Sequence, residues 1–398
     1  MNSFFSKGGA SRAAIRLVTA LQKSGVTAEY LSVYPEKLGV FSKLILYFRA
    51  SVDRIPVKFF LKKKVLFSTG RPSNTRLLKK INASDADVVH LHWINTGGMS
   101  VEDIFRINKP IVWSLHDMWP FTGGCHYDDN CDKYVNGCGD CPMLKGSSHY
   151  DASYKLVKRK MSAVERRDHK FVVNGLSSWI ADCASKSSIF CNSDVRNLPN
   201  PINTSVFSPQ GKDVSRSYLG LPLRKKLIMF GAISALTDPR KGYLKLVEAL
   251  ACLPKDDNVE LVVFGSDSPA PTLDLGFNAH YLGSFSSDVD LVALYSAADV
   301  MIVPSLQENL SNSILESLSC GTPVVAFDIG GNSDMIDHKL NGYLVKPFKC
   351  SDLSLGIQWV LDSQEKDTLS KNSRNKVVEN FDERVVSSKY IELYSEIV

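Results

Sequence analysis

The chain has 398 residues, 44% of them hydrophobic, and 47 Lys and Arg against 42 Asp and Glu leave a net charge of +5. This length fits two domains able to bury ordinary cores. No stretch approaches the roughly 18 uninterrupted apolar residues of a membrane-spanning helix, which excludes an integral helical membrane protein. The charge is uneven: residues 1–200 hold 29 Lys/Arg against 17 Asp/Glu, and residues 201–398 hold 18 against 25. One half is therefore expected to face an anionic surface.

The start, "MNSFFSKGGASRAAIRL", lacks the apolar core and cleavage site of a signal peptide, which predicts a cytoplasmic protein. In that compartment the nine cysteines read as thiols or metal ligands rather than disulfides. "ASRAAIRLVTALQKSG" predicts a first helix closed by Gly25, with Gly8 and Gly9 just before it. Glycines there allow close backbone approach, and a helix start favours phosphate; a plain tight turn fits the same residues. "DVVHLHW", "PIVWSLHD" and "FVVNGLS" predict buried strands. His116 falls at the carboxyl end of the second, where a lone histidine is more often structural.

"NLPNPINTSVFSPQG", with three prolines, marks a linker near residue 200. The second half repeats the scheme. "KLIMFGA" precedes a helix from Lys241, and "VELVVFG", "HYLGSF", "DVMIVPS" and "PVVAF" follow as strands. "DERVVSSKYIELYSEIV" closes the chain as an amphipathic helix. Alternating strands and helices predict an α/β fold of two Rossmann-like doubly wound domains with an interdomain cleft at the carboxyl ends of the strands. The domains read as 1–200 and 201–375, with a terminal helix, 376–398, packing back on the first.

"VPSLQENLSNSILESLSCGTPVVAF" places Glu308 at the expected mouth of a helix and Glu316 eight residues on. Amides around Asn309, Leu310 and Ser311 would be free to meet a sugar or phosphate. Glu308 could accept hydrogen bonds from sugar hydroxyls, and Glu316 could take a vicinal diol such as a ribose. A capped helix with a glutamate in its first turn explains the same spacing. Arg240 and Lys241 stand at a predicted helix start, an unfavourable place for cations unless they serve an anion.

The block from Glu308 through "DIGGNSDMI" and "NGYLV" resembles the second domain of the retaining glycosyltransferases of family 4, with their Glu-x7-Glu signature and following Gly-Gly turn. "DPRKGYLKLVEAL" is similar to their phosphate-binding element, and "HDMWPFTGGCHYDDNCDKYVNGCGDCP" resembles the subgroup that builds bacterial surface polysaccharides. The resemblance implies that Glu316 binds the nucleotide ribose and that Glu308, with the amides after it, binds the donor sugar. It implies that Arg240 and Lys241 neutralise the leaving diphosphate, where preorganised cations stabilise developing charge. By the same resemblance Gly8 and Gly9 face the diphosphate, and His116 orients the donor sugar. Two departures stand out. Many relatives carry arginine where this chain has Ala232, and their first strand is longer than "MNSFFS" allows.

Cys125, Cys131, Cys138 and Cys141, within a loop at 123–142, have the spacing C-x5-C-x6-C-x2-C. Four thiolates on a short loop suit a structural zinc with no position left for substrate. Two disulfides or free thiols fit the same spacing. The stretch 36–71 holds nine Lys/Arg and two Asp/Glu among Phe, Leu, Ile and Tyr. Its basic part, 37–71, reads as a surface for anionic lipid, or as a solvated helix face. No nucleic-acid motif accompanies it.

These readings together predict a retaining hexosyltransferase that moves sugar from a nucleotide-diphosphate donor to a lipid-linked oligosaccharide, peripheral on the inner face of the cell membrane. It would need no metal for catalysis. A nucleotide-sugar epimerase, with a similar double-Rossmann architecture, and a zinc-stabilised polyanion-binding protein are the alternatives.

Overall fold

The computed structural model describes all residues except 6, 7, 35–38, 63, 64, 147, 232–237, 266–275 and 286. Ala232, and with it the departure noted above, lies outside the described residues. The chain forms two compact units, Met1–Asn200 with Ser387–Val398, and Pro201–Val386.

In the first unit β1 (Asn2–Phe4) pairs in parallel with β2 (Ser32–Tyr34). Three residues of "MNSFFS" thus form the first strand. β3 (Val89–Leu91), β4 (Ile111–Leu115), β5 (Phe171–Gly175) and β6 (Asp194–Asn197) follow in parallel. Backbone bonds from Ser3 N to Trp93 O (2.7 Å) and from His92 N to Met1 O (2.9 Å) lay β1 alongside the end of β3. Strands buried on both faces read as near-continuous apolar runs, which is why "IVWSL" was legible as a central strand. Leu91, Trp113, Leu115 and Val173 fill the core on this sheet.

Helix α1 (Gly9–Lys23) begins at Gly8, whose φ of 90° is comfortable only without a side chain. Helix α2 (Val40–Lys58) carries a single acidic residue, Asp53. Among the described residues no helix is long and apolar enough to cross a membrane.

The second unit holds one six-stranded parallel sheet in the order β12-β11-β10-β7-β8-β9. These are β7 (Lys226–Gly231), β8 (Val259–Phe264), β9 (Ala279–Tyr281), β10 (Val300–Val303), β11 (Val324–Phe327) and β12 (Gly342–Val345). From β7 the chain builds outward through β8 and β9. From β10 it builds the other way, so the strand order reverses between these two neighbours. Ligands of open α/β sheets bind outside the carboxyl ends of strands at such a reversal.

The terminal helix Glu383–Ile397 straddles the two units in sequence. In the first unit, Tyr390 accepts a hydrogen bond from Asn174 Nδ2 at 2.8 Å and donates to Leu198 O at 3.1 Å.

Candidate active site

The second unit gathers its predicted residues where the strand order reverses. After β7 the chain makes a short 3₁₀ turn, Pro239–Lys241, before the helix Tyr243–Ala251. Arg240 and Lys241 therefore precede that helix rather than starting it. Each has a carboxylate partner. Arg240 Nη2 lies 2.7 Å from Asp238 Oδ2, and Lys241 Nζ donates to Glu308 Oε2 at 3.2 Å. Burial opposes ionisation of Asp238, but the hydrogen bonds and charge of Arg240, with the charge of Lys241, hold its carboxyl below the usual range.

Gly242 makes this arrangement possible. Its φ is +72°, and a Cβ there would lie 1.8 Å from the carbonyl oxygen of Pro304. The turn thus rests directly on the chain leaving β10, where Leu306 N donates to Arg240 O at 2.7 Å.

Glu308 lies in the loop after β10, and the helix that follows is Asn312–Ser319 with Ser311 as its cap. The expected helix mouth at Glu308 is corrected accordingly. Asn309, Leu310 and Ser311 belong to the loop, and the helix-start amides are those of residues 312–314. The polar run "ENLSNS" favours a loop, because Asn and Ser compete for backbone groups outside helices. Asn309 O accepts from Gly331 N at 2.9 Å, so the Gly-Gly turn after β11 closes on this loop. Glu316, inside the helix, is 2% exposed, and Tyr295 donates to its Oε2 at 3.0 Å. Tyr295 and Asp238 were not foreseen as members of the site: Tyr295 sits in no motif, and Asp238, although it opens "DPRKGYLKLVEAL", was passed over for the two cations that follow it. A cavity of about 170 Å³, lined by Asp299, Thr322 and Pro323 at the opposite strand ends, includes neither Glu308 nor Lys241.

In the first unit His116 directly follows β4. Its Nε2 lies 2.9 Å from Nδ1 of His92, which follows β3, and His92 stacks on His90 with ring centroids 4.4 Å apart. His90 Nδ1 meets the hydroxyl of Tyr394 at 2.6 Å. Burial lowers His116 to about 4 and also depresses His90 and His92, so all three rings are neutral near pH 7. His116 keeps part of its surface open, whereas His92 is buried. Next to it, Asp117 is buried and takes hydrogen bonds from Trp93 Nε1 at 2.8 Å and Trp119 N at 3.0 Å, with His126 Nδ1 at 2.6 Å. Gly8 and Gly9 sit at the start of α1, after β1.

The cysteine loop is irregular, with Asp129, Asn130, Asp132, Cys138 and Asp140 all at positive φ. None of its four cysteines is joined in a disulfide; Cys125 and Cys141 are buried and the other two half-buried. Among the described residues no three His, Cys, Asp or Glu side chains stand in a metal-holding arrangement.

Both units match family models of one enzyme class. Residues 7–206 match Glycosyltransferase Family 4, and residues 220–380 match Glycosyl transferases group 1. The chain belongs to this family of glycosyltransferases. It is 26% identical over 326 residues to an uncharacterized glycosyltransferase of Methanocaldococcus jannaschii, covering 77% of this chain and 75% of the relative. It is 29% identical over 205 residues to the N,N'-diacetylbacillosaminyl-diphospho-undecaprenol alpha-1,3-N-acetylgalactosaminyltransferase of Campylobacter jejuni, covering 50% of this chain and 53% of that one. Among solved structures, Anabaena HepE in complex with UDP-glucose aligns with a TM-score of 0.66 at 17% identity, over 99% of this chain and 98% of that one. The fold is the two-domain α/β GT-B fold. Family membership sets the epimerase and the polyanion-binding module aside.

Proposed function

We propose that this glycosyltransferase moves a hexose, with retention of configuration, from a nucleotide-diphosphate sugar to a lipid-linked oligosaccharide. The setting would be bacterial surface polysaccharide assembly at the cytoplasmic face of the membrane. The observation that carries the reading is the Lys241–Glu308 pair at 3.2 Å, held against the end of β10 by the close approach at Gly242.

In this reading the donor diphosphate takes over Lys241 and Arg240, and Glu308 turns its oxygens to the sugar hydroxyls. As the sugar–phosphate bond lengthens, negative charge grows on the diphosphate, where two cations already stand and need not be assembled. Glu316, oriented by Tyr295, takes the ribose diol. His116 is neutral and fixed by His92, so it suits orientation of the donor sugar rather than nucleophilic attack. The reading is supported by the diphospho-undecaprenol named for the Campylobacter relative and the UDP-glucose held by HepE.

The test is transfer from a panel of UDP- and GDP-sugars to short-chain polyprenyl-diphosphate-linked sugars, followed by mass spectrometry and assignment of the anomeric linkage. Transfer with retention supports the reading. No transfer from any donor, together with no calorimetric affinity for any nucleotide, rejects it.

A further inference from the structure

Helix α2 serves no part of the site, yet its two faces differ sharply. Arg49, Asp53 and Val57, four residues apart, form the face fixed to the body of the first unit. Arg49 Nε donates to Gly97 O at 2.6 Å, and Thr69 N donates to Asp53 Oδ1 at 2.9 Å. Val57 is 1% exposed in a small cluster with Phe67 and Met143. The helix cannot roll without breaking these ties.

Its opposite face is apolar and open. Val40, Phe41, Leu44, Tyr47, Phe48 and Ile55 are each 54–78% exposed, and Phe59 and Phe60 continue the surface past the helix end. Steps of three, four and seven residues place them on one stripe. Soluble proteins rarely leave so continuous an apolar patch to water. Lys43, Arg54 and Lys58, all exposed, run along one border of the stripe, and no acidic residue shares that face.

We infer that α2 is an in-plane anchor for an anionic lipid surface, inserted by its apolar stripe and steadied by the cations along its border. It deepens the lipid-linked acceptor reading and rests on it for its biological purpose, but the helix chemistry stands on its own. A second copy of the chain is a poorer occupant, because an antiparallel two-fold contact would bring identical basic borders together and a parallel one would leave the cations without a carboxylate on the facing stripe. Sequence alone suggested a mainly electrostatic surface across 37–71. Arg49, however, spends its guanidinium on the backbone of Gly97, Ser73 and Pro72, while Lys37, Lys63 and Lys64 lie outside the described residues. Apolar insertion then sets the affinity, and the border cations set the preference for anionic lipid.

Flotation of the full chain with phosphatidylethanolamine–phosphatidylglycerol vesicles tests this. Wild-type protein should float with the vesicles and stay largely bound at roughly 1 M salt, where the Debye length is about 3 Å. Phe41→Ser/Phe48→Ser should lower vesicle partition about tenfold or more. Lys43→Gln/Lys58→Gln should remove the preference for anionic vesicles while leaving residual binding. Nucleotide affinity should be unchanged in both variants, which reports an intact second unit, and circular dichroism should match wild type. Wild-type protein that ignores the vesicles overturns the inference, even where transfer to a lipid-linked acceptor proceeds. Micromolar self-association abolished by Phe41→Ser/Phe48→Ser, without vesicle binding, assigns the face to a second copy and overturns it too. Vesicle binding without transfer leaves the anchor standing and rejects the acceptor instead.

Discussion

Gly242 and Gly220 offer a controlled pair of substitutions in the same unit. Both have left-handed backbone, φ +72° and +66°, but an added Cβ would meet nothing within 4 Å at Gly220 and would lie 1.8 Å from Pro304 O at Gly242. A left-handed alanine costs about 1–2 kcal/mol, and Gly220→Ala should lose about that much stability. At Gly242 the turn must also withdraw by about 1.7 Å to reach the roughly 3.5 Å of an ordinary contact. The obstacle is a backbone carbonyl that cannot swing aside. Such a movement is large enough to break the 2.7 Å bond from Leu306 N to Arg240 O and to part Lys241 from Glu308. Gly242→Ala should then lose about 3 kcal/mol or more, and nucleotide affinity should fall about tenfold, equivalent to about 1.4 kcal/mol. Gly220→Ala should bind nucleotide like wild type. Urea unfolding of both variants, with calorimetric titration of UDP and GDP, decides it. Equal stability losses with undiminished affinity in Gly242→Ala would refute the steric argument.

Glu316→Ala should weaken nucleotide binding about tenfold or more, since hydrogen bonds to a charged group contribute roughly 1.5–3 kcal/mol; unchanged calorimetric affinity would remove Glu316 from the site. Stability should fall as pH drops from 6.5 towards 4, because unfolded histidine takes up a proton near 6.5 while folded His116, held by burial, does so only at about 4. His116 alone accounts for up to about 3 kcal/mol of loss by pH 4, with His90 and His92 adding in the same direction; urea midpoints that stay flat over this window would contradict it. Transfer should persist in EDTA, the proposed work of Arg240 and Lys241 replacing a catalytic cation, and activity lost to EDTA but restored by Mg²⁺ would reject that. The zinc expected from the cysteine spacing alone, against the arrangement of the side chains, is settled by metal analysis of reductively purified protein: about one zinc per chain, lost in Cys138→Ser/Cys141→Ser, would uphold it, and a metal-free wild type ends it.

The strands were legible because parallel sheets buried on both faces leave apolar runs that few other structures produce. "HYLGSF" was the weakest of them, and only Ala279–Tyr281 forms a strand there. The two glutamates were legible by spacing, but the start of their helix was not, because Asn and Ser serve loops and caps alike. Partnerships across strands were hidden for a different reason. His90 and Ser114, His92 and His116, and Trp93 and Asp117 are each 24 residues apart, a separation set by the register of β3 against β4. Pattern within one segment carries no trace of that register. On α2 the apolar residues were visible, but which of its faces the body would cover depended on contacts with Gly97, Thr69 and Phe67, all outside the helix.

The division of the terminal helix between the units bears on the order in which the protein folds. Domains emerging from the ribosome ordinarily settle from the amino end onward. Here the first unit includes Ser387–Val398, and Tyr390 and Tyr394 hydrogen-bond to Asn174 and His90 within it. The unit made first is therefore finished last. Until synthesis reaches those tyrosines, His90 and Asn174 wait without two of their partners, while all of Pro201–Val386 has already been synthesised. A nascent chain halted near residue 200 should be an open, chaperone-bound sheet rather than a closed domain.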